Sequence, residues 1–513
     1  MNKLYLFIVC AFLIQVSVNS QPCFPEGIAF QTQEEIDSFQ TYYPGCTEIE
    51  GNVYIDDMYS ASITNLHGLN VLTYIGGKLD IGDNPALANL TGLEKLTAIG
   101  GDLDIHFLNN SAFVNLTGLD GLTTIGGRLE ITHCNYLISL TGLNGLTYIG
   151  NHLFITYNLY LKSLAGMESV TTVEGLVDIM YNQSLTSLTG LEGLTFVENH
   201  LWIVDNDQLT CLLGLEGLKE LGGSLHISQN ANMTNLSGLD GLTSIGGSLE
   251  IEDNPVLISI TGLEHINYIG GHLVVSGNDI LPNLEGLNNI TYIGGRLSLS
   301  ENNNLTDLTG LNGLEVINGF QGLVIFSNAN LTNLNGIDNL ELVNGSIFIG
   351  ILDPWIGGLG NPVLTDISAL ENLAPDSILS LNIIFNNSLS NCSIQNICHY
   401  LAASNSYVEI HDNAPGCNTV EEVEETCESV SVNEVSLKNE FSFYPNPATN
   451  EIFIESKNLA NIVEIRIYNP VGQIIIKQKG IPNRIDISAL NKGIYFVDIV
   501  SYVMNFRKKL IIN

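Results

Sequence analysis

From Asn65 to about Leu340 one phrase recurs: NLHGLNVLTYIGGKLDI, then NLTGLEKLTAIGGDLDI, then NLTGLDGLTTIGGRLEI. Its leading glycine falls at Gly68, Gly92, Gly118, Gly142, Gly166, Gly190, Gly214, Gly238, Gly262, Gly286, Gly310 and Gly336. Successive spacings are 24 residues, except 26 at Gly92→Gly118 and Gly310→Gly336. A fixed period of this length predicts a solenoid. Each repeat is one coil that buries its apolar face only by stacking on its neighbours.

Within a coil, apolar residues return at Leu69, Leu72, Ile75, Leu79, Ile81, Leu87 and Leu90. Lys78-Leu79-Asp80-Ile81 alternates polar and apolar, the pattern of a half-buried strand. Gly76-Gly77 before it is expected to supply positive φ and a sharp corner. The stretch from Leu69 to Ile75 is too short for a stable helix and reads as extended or 3₁₀ structure. An asparagine recurs beyond each strand, at Asn84, Asn158, Asn182, Asn206, Asn230, Asn254, Asn278, Asn302 and Asn328. Stacked asparagines satisfy one another and the turn backbone, which predicts a ladder. Cys134 takes that slot in one repeat and is read as structural. The strands run from Val53 and Ile55 to Ile347 and Ile349, with Leu379-Ser380-Leu381 a candidate further coil. About fourteen coils, each about 4.8 Å from the next, give a rod on the order of 65 Å.

The pattern GL-x2-L-x2-IGG-x-L-x-I-x2-N-x2-L-x2-L resembles the receptor L domain over roughly residues 50–375. That resemblance implies a leucine-rich, right-handed parallel β-helix of growth-factor receptor ectodomains. The array is longer than one such domain, and no cysteine-rich module divides it. Growth-factor binding is therefore not carried over.

Met1 to Ser20 reads as a signal peptide: Lys3, an apolar run from Leu4 to Ile14, then a small-residue exit at Val18-Asn19-Ser20. It is too short to span a bilayer, and no other segment reads as transmembrane. Export permits disulfides. Cys23 and Cys46 bracket an N-terminal cap at 21–50, ahead of a solenoid at 51–390. Cys392, Cys398, Cys417 and Cys427 suggest a disulfide-locked cap at 391–427, with three possible pairings. The acidic, Val- and Ser-rich stretch that follows is expected to be a linker, at 428–440.

Composition then changes. FSFYPNPATNEIFIE, VEIRIYNPVGQIII and IDISALNKGIYFVDI predict short strands in a small Ig-like β-sandwich over 441–513. Tyr444-Pro445-Asn446-Pro447-Ala448, Tyr468-Asn469 to Gly472-Gln473, Leu490 to Tyr495 and Arg507-Lys508-Lys509-Leu510 resemble the type A C-terminal sorting domain of the type IX secretion system of Bacteroidetes. The resemblance implies that the type IX machinery is a partner, that export passes through the periplasm, and that the protein ends at the outer surface or in the medium.

The chain holds 17 Lys and Arg against 54 Asp and Glu, a net charge of −37. Residues 441–513 contribute nine basic and five acidic residues, +4, which leaves −41 for the rest. Phosphates are repelled by such a rod, so nucleic acid is not an expected partner. Asp205-Asn206-Asp207 and Glu252-Asp253-Asn254 look like calcium ligands in isolation, but Asn206 and Asn254 belong to the ladder. No metal or cofactor is expected. Asp80, Asp104 and Glu130 align on successive strands and read as a solvated stripe rather than a catalytic set. No nucleophile, phosphate-loop or metal-helix motif is present, so no catalytic residue is assigned. Outward positions in the middle of the array become His152, Phe154, Tyr157, Met180, Tyr181, His200, Trp202 and His226. Exposed aromatic patches mark contact sites, and these residues are expected to form one strip that meets a glycan or protein. Trp355, in a long insertion, is a second contact candidate. The function expected is non-catalytic binding or adhesion, against a polysaccharide-acting enzyme or a structural coat.

Overall fold

The computed structural model describes residues 21–512 apart from 58–61, 108–109, 356, 404–406, 435–440, 457–461, 470–472, 480–483 and 502–504. The export signal read at 1–20 lies outside the described residues. The chain divides into two compact units, Met1–Glu424 and Glu425–Asn513.

The first unit is built on two parallel sheets that share the coils up to Gly345–Ile349; beyond it only the larger sheet continues. One has sixteen strands, from Ile28–Phe30 and Val53–Asp56 to Ile378–Ile384 and Tyr407–His411. The other has fourteen, most of them two residues long, such as Tyr74–Ile75 and Tyr268–Ile269. Register follows the sequence period: Leu79 pairs with Leu103, Leu129 with Leu153 and Leu249 with Leu273. Inward residues such as Leu79, Ile81, Leu129 and Leu249 are fully buried. Between the sheets the chain advances by three-residue turns, Leu69 N–H to Leu66 O at 2.9 Å and Leu72 N–H to Leu69 O at 3.0 Å.

Sixteen strands exceed the fourteen coils expected, because both presumed caps are themselves coiled. Gln21–Cys23 and Ile28–Phe30 begin the two sheets. The helix Gln33–Tyr42 buries Ile36 and Phe39 against the first coil and opens on a capping box between Thr32 and Glu35. At the other end the coils continue past residue 390 to Tyr407–His411. Cys23 is bonded to Cys46 and Cys392 to Cys417, and Cys398 and Cys427 are also in disulfides. The linker expected at 428–440 is helical as far as it is described, within Val420–Glu434.

The glycines divide their work differently from expectation. Positive φ belongs to the leading glycine of the repeat, +119° at Gly92 and +115° at Gly190. A Cβ on Gly92 would lie 2.1 Å from the Leu66 carbonyl of the coil before. Gly76 and Gly77 are not left-handed; a Cβ there would strike the backbone of Glu50 and Gly51. Close stacking, not a sharp corner, selects that pair.

The asparagine ladder is continuous from Asn158 to Asn413. Each Oδ1 accepts the N–H of the asparagine one coil earlier, as Asn182 Oδ1 does from Asn158 at 3.1 Å. Each Nδ2 reaches back to a strand carbonyl, as Asn206 Nδ2 does to Ile179 O at 2.8 Å. Asn361, Asn386 and Asn413 extend the ladder beyond the residues the period reveals, and Asn110 is buried at the same level near its start. Cys134 joins through its N–H to Asn158 Oδ1 at 3.0 Å, while its thiol lies 3.5 Å from the Ile105 carbonyl. Paired this way, polar groups inside the apolar frame avoid the cost of burial without partners.

The second unit has a three-stranded antiparallel sheet of Phe441–Tyr444, Glu451–Ser456 and Arg484–Asp486. A four-stranded antiparallel sheet runs in the order Ile474–Lys479, Ile462–Tyr468, Gly493–Ser501, Asn505–Ile512. They share a core that includes Ile452, Ile465, Ile467, Ile485, Val497 and Leu510.

Candidate functional site

Strand alternation sends every second residue of the sixteen-stranded sheet outward, and one-coil register stacks equivalent residues in columns. The central column runs Asp80, Asp104, Glu130, Phe154, Asp178, Trp202, His226, Glu250. A second outward column, two residues on, carries His106, Thr132, Thr156, Met180, Val204, Ser228 and Glu252. A third lies at the corner just after each strand, where residues from Asp83 to Asp412 hold φ between 46° and 66°.

This geometry divides the strip expected of the mid-array aromatics between two rows. Phe154 and Trp202 stand on the central column, with Asp178 paired between them. Tyr157 and Tyr181 stand on the left-handed corner, where they stack at 4.5 Å; His133 stacks on Tyr157 at 4.9 Å. Tyr157 and Trp202 are exposed; Phe154, Met180 and Tyr181 are half-buried. The separation has a simple cause: three residues from Phe154 to Tyr157 cross a corner, where alternation no longer applies.

His152 and His200 have backbone work. His152 Nδ1 accepts the Leu176 N–H at 3.1 Å, and His200 Nδ1 accepts the Ser224 N–H at 2.9 Å. Asn52, Asp102, Ser224, Ser248 and His272 do the same at their own coils. These side chains form a second ladder along the edge of the sheet. Their ring faces remain beside the aromatics, His152 at 5.5 Å from Phe154 and His200 at 6.0 Å from Trp202.

Asp178 is 9% exposed, and its Oδ1 has no hydrogen-bond partner among the described residues. Burial on the column between Phe154 and Trp202 pushes its carboxyl up to about 6. The acidic stripe at Asp80, Asp104 and Glu130 is neutralised rather than merely solvated. Lys78 Nζ lies 2.6 Å from both Asp80 and Asp104, and Arg128 bridges Asp104 at 2.8 Å and Glu130 at 3.0 Å. Burial opposes the Lys78 ammonium, but hydrogen bonds to Asp104 and Asp80 outweigh it and raise its pKa. The hydrogen bond that His106 Nε2 donates to Asp80 raises the pKa of His106.

His226 faces two carboxylates. Its Nδ1 lies 3.0 Å from Glu250 Oε2 and 3.8 Å from Glu252 Oε2, and its Nε2 lies 2.8 Å from Ser228 Oγ. The hydrogen bond from His226 holds Glu250 below the usual carboxylate range, whereas burial raises Glu252. Glu252 also borders a shallow cavity of about 370 Å³. Arg296, Gln321, Phe326, Phe348 and Ile351 line its other walls. Trp355 is 93% exposed at the tip of the hairpin Ile351–Asp353 and Gly357–Leu359, apart from the mid-array aromatics.

No helix among the described residues is long and apolar enough to cross a membrane. No curated protein matches the sequence. Residues 267–350, between three and four of the coils, match the family model of the Receptor L domain. Residues 442–513 match that of the Secretion system C-terminal sorting domain. The chain thus carries a receptor L domain match within its solenoid and a sorting domain that directs it by type IX secretion to the cell surface or extracellular space.

Proposed function

We propose that the protein is a non-catalytic binding or adhesion protein whose solenoid contacts a glycan or protein ligand through the outward face of its sixteen-stranded sheet. The observation that carries this reading is the pair of aromatic rows, with the His133–Tyr157–Tyr181 stack on the corner and Phe154 and Trp202 on the strands. Flat rings held in register on a rigid scaffold offer sugar rings or apolar side chains a surface that needs little ordering on binding. Receptor L domains elsewhere serve in ectodomains, and an exported rod with such a face suits the same kind of task.

Asp178 favours a second reading, a polysaccharide-acting enzyme, because a carboxyl held near 6 beside Trp202 has the character of a general acid. Catalysis needs a second group. Glu130 stands two strands away, roughly 9.6 Å, at the outer limit for an inverting pair. Phe154 lies between them and Arg128 already binds Glu130. That arrangement supports the non-catalytic reading. A glycan array run with a product assay on the secreted protein tests both. Saturable binding without product is expected, and turnover that depends on Asp178 would replace the first reading with the second.

A further inference from the structure

We propose that His226, Glu250 and Glu252 form a binding site for a divalent metal ion of the zinc class, a role that goes beyond ligand contact by the aromatic rows. The solenoid period assembles the donors. His226 and Glu250 are 24 residues apart and pair directly across neighbouring strands, as do Ser228 and Glu252. Glu250 and Glu252 are two residues apart on one strand, so both point outward on the same face as the imidazole.

One donor atom from each of the three lies within 4.8 Å of the others. Zinc bonds of about 2.0–2.2 Å in tetrahedral geometry place neighbouring donors about 3.3 Å apart. The two distances from His226 Nδ1, 3.0 Å and 3.8 Å, bracket that value, so small side-chain rotations suffice. The imidazole is already oriented for the task. With Nε2–H donating to Ser228 Oγ at 2.8 Å, the lone pair of Nδ1 faces the carboxylates. Without a metal, Nδ1 must instead carry a proton to hydrogen-bond Glu250; an ion takes that proton's place and neutralises both carboxylates.

The donor chemistry selects among ions. Calcium takes six to eight oxygens and magnesium prefers oxygen and water, whereas an imidazole nitrogen with two carboxylates suits zinc and its transition-metal neighbours. Three protein donors leave a coordination position open, as in sites that take an exogenous ligand. Glu252 borders the cavity that contains Arg296, so a molecule bound there has access to that position.

The test is titration of the full secreted protein, carrying no histidine tag, with Zn²⁺ by calorimetry and with Co²⁺ by visible absorption. One saturable site is expected, with Co²⁺ bands that Zn²⁺ displaces and that Ca²⁺ does not. His226→Gln and Glu250→Gln should abolish it, and Ser228→Ala should weaken it about tenfold by releasing the ring. His106→Gln, five coils from His226, should leave it intact. If His226→Gln does not fold, Glu252→Gln supplies the same comparison. No saturable binding below millimolar metal, or binding unchanged in the His226 and Glu250 variants, would overturn the site. Loss of glycan binding alone would not.

Discussion

Tyr157 and Tyr181 stack with ring centroids 4.5 Å apart and planes 11° from parallel, although both hold left-handed backbones at φ 57° and 58°. The corner of each coil imposes that conformation, which costs an L-residue about 1–2 kcal/mol. Stacking returns about 0.5–1.5 kcal/mol for each of the two pairs, His133–Tyr157 and Tyr157–Tyr181, against one strain cost for each tyrosine. The rings therefore add little net stability. Replacing both by glycine relieves the strain and removes the stack, so urea unfolding should change by no more than about 1 kcal/mol. Ligand binding should fall well beyond that. A double variant that unfolds readily would place the rings in the structural frame instead.

The asparagine ladder should behave in the opposite way. Asn230 Nδ2 donates to Ile203 O and Ser228 O, both at 2.9 Å, and its Oδ1 accepts the Asn206 N–H at 3.1 Å. Asn230→Ala strands buried groups at about 1–3 kcal/mol each. We expect a loss of about 3 kcal/mol or more in chemical denaturation. Cys134, fully buried with its thiol pushed up to about 12 by burial, should resist alkylation in the folded protein. Rapid labelling of Cys134 under native conditions would contradict that packing.

Asp178 should make stability depend on pH. Its folded carboxyl titrates at about 6 against an ordinary value of 3.8, so the folded state holds the proton more tightly. That contribution is fully present below the ordinary range and is lost as pH rises from 4 through about 6. A shift of about two units corresponds to about 2–3 kcal/mol. Asp178→Asn should be more stable than the native protein by an amount of that order at pH 7, with the difference vanishing towards pH 4. Parallel curves for the two proteins would mean that Asp178 is solvated.

The sorting domain yields a cellular prediction. Its core unites both antiparallel sheets through Ile452, Ile465, Ile485 and Val497, and the last strand, Asn505–Ile512, pairs along Gly493–Ser501. Deletion of 441–513 should retain the protein in the periplasm, as fractionation would show. Surface display that survives the deletion would contradict type IX routing.

The period made the stack of coils and most of the ladder legible, because a residue and its successor one coil on must share a column. Asn361, Asn386 and Asn413 escaped because insertions stretch their spacings beyond 24 residues. The helix at Gln33–Tyr42 carried a legible signal in Thr32 and Glu35, the two ends of its capping box. Side-chain partners were harder to read. His152 and His200 look like surface residues until the N–H one coil away is seen, although Asn52, Asp102 and Ser224 at equivalent positions all carry acceptors. Lys78 and Arg128 sit just outside the strands whose carboxylates they bind, which hid the ion network behind an apparent excess of acid.

Glycan-array binding of the secreted protein beside its Tyr157→Gly/Tyr181→Gly/Trp202→Ala variant, with reaction products assayed in parallel, tests the aromatic face most directly. The native protein should bind saturably and release no product, and the variant should remain folded yet lose binding. Equal binding by both proteins, or product release, would contradict a binding role for that face.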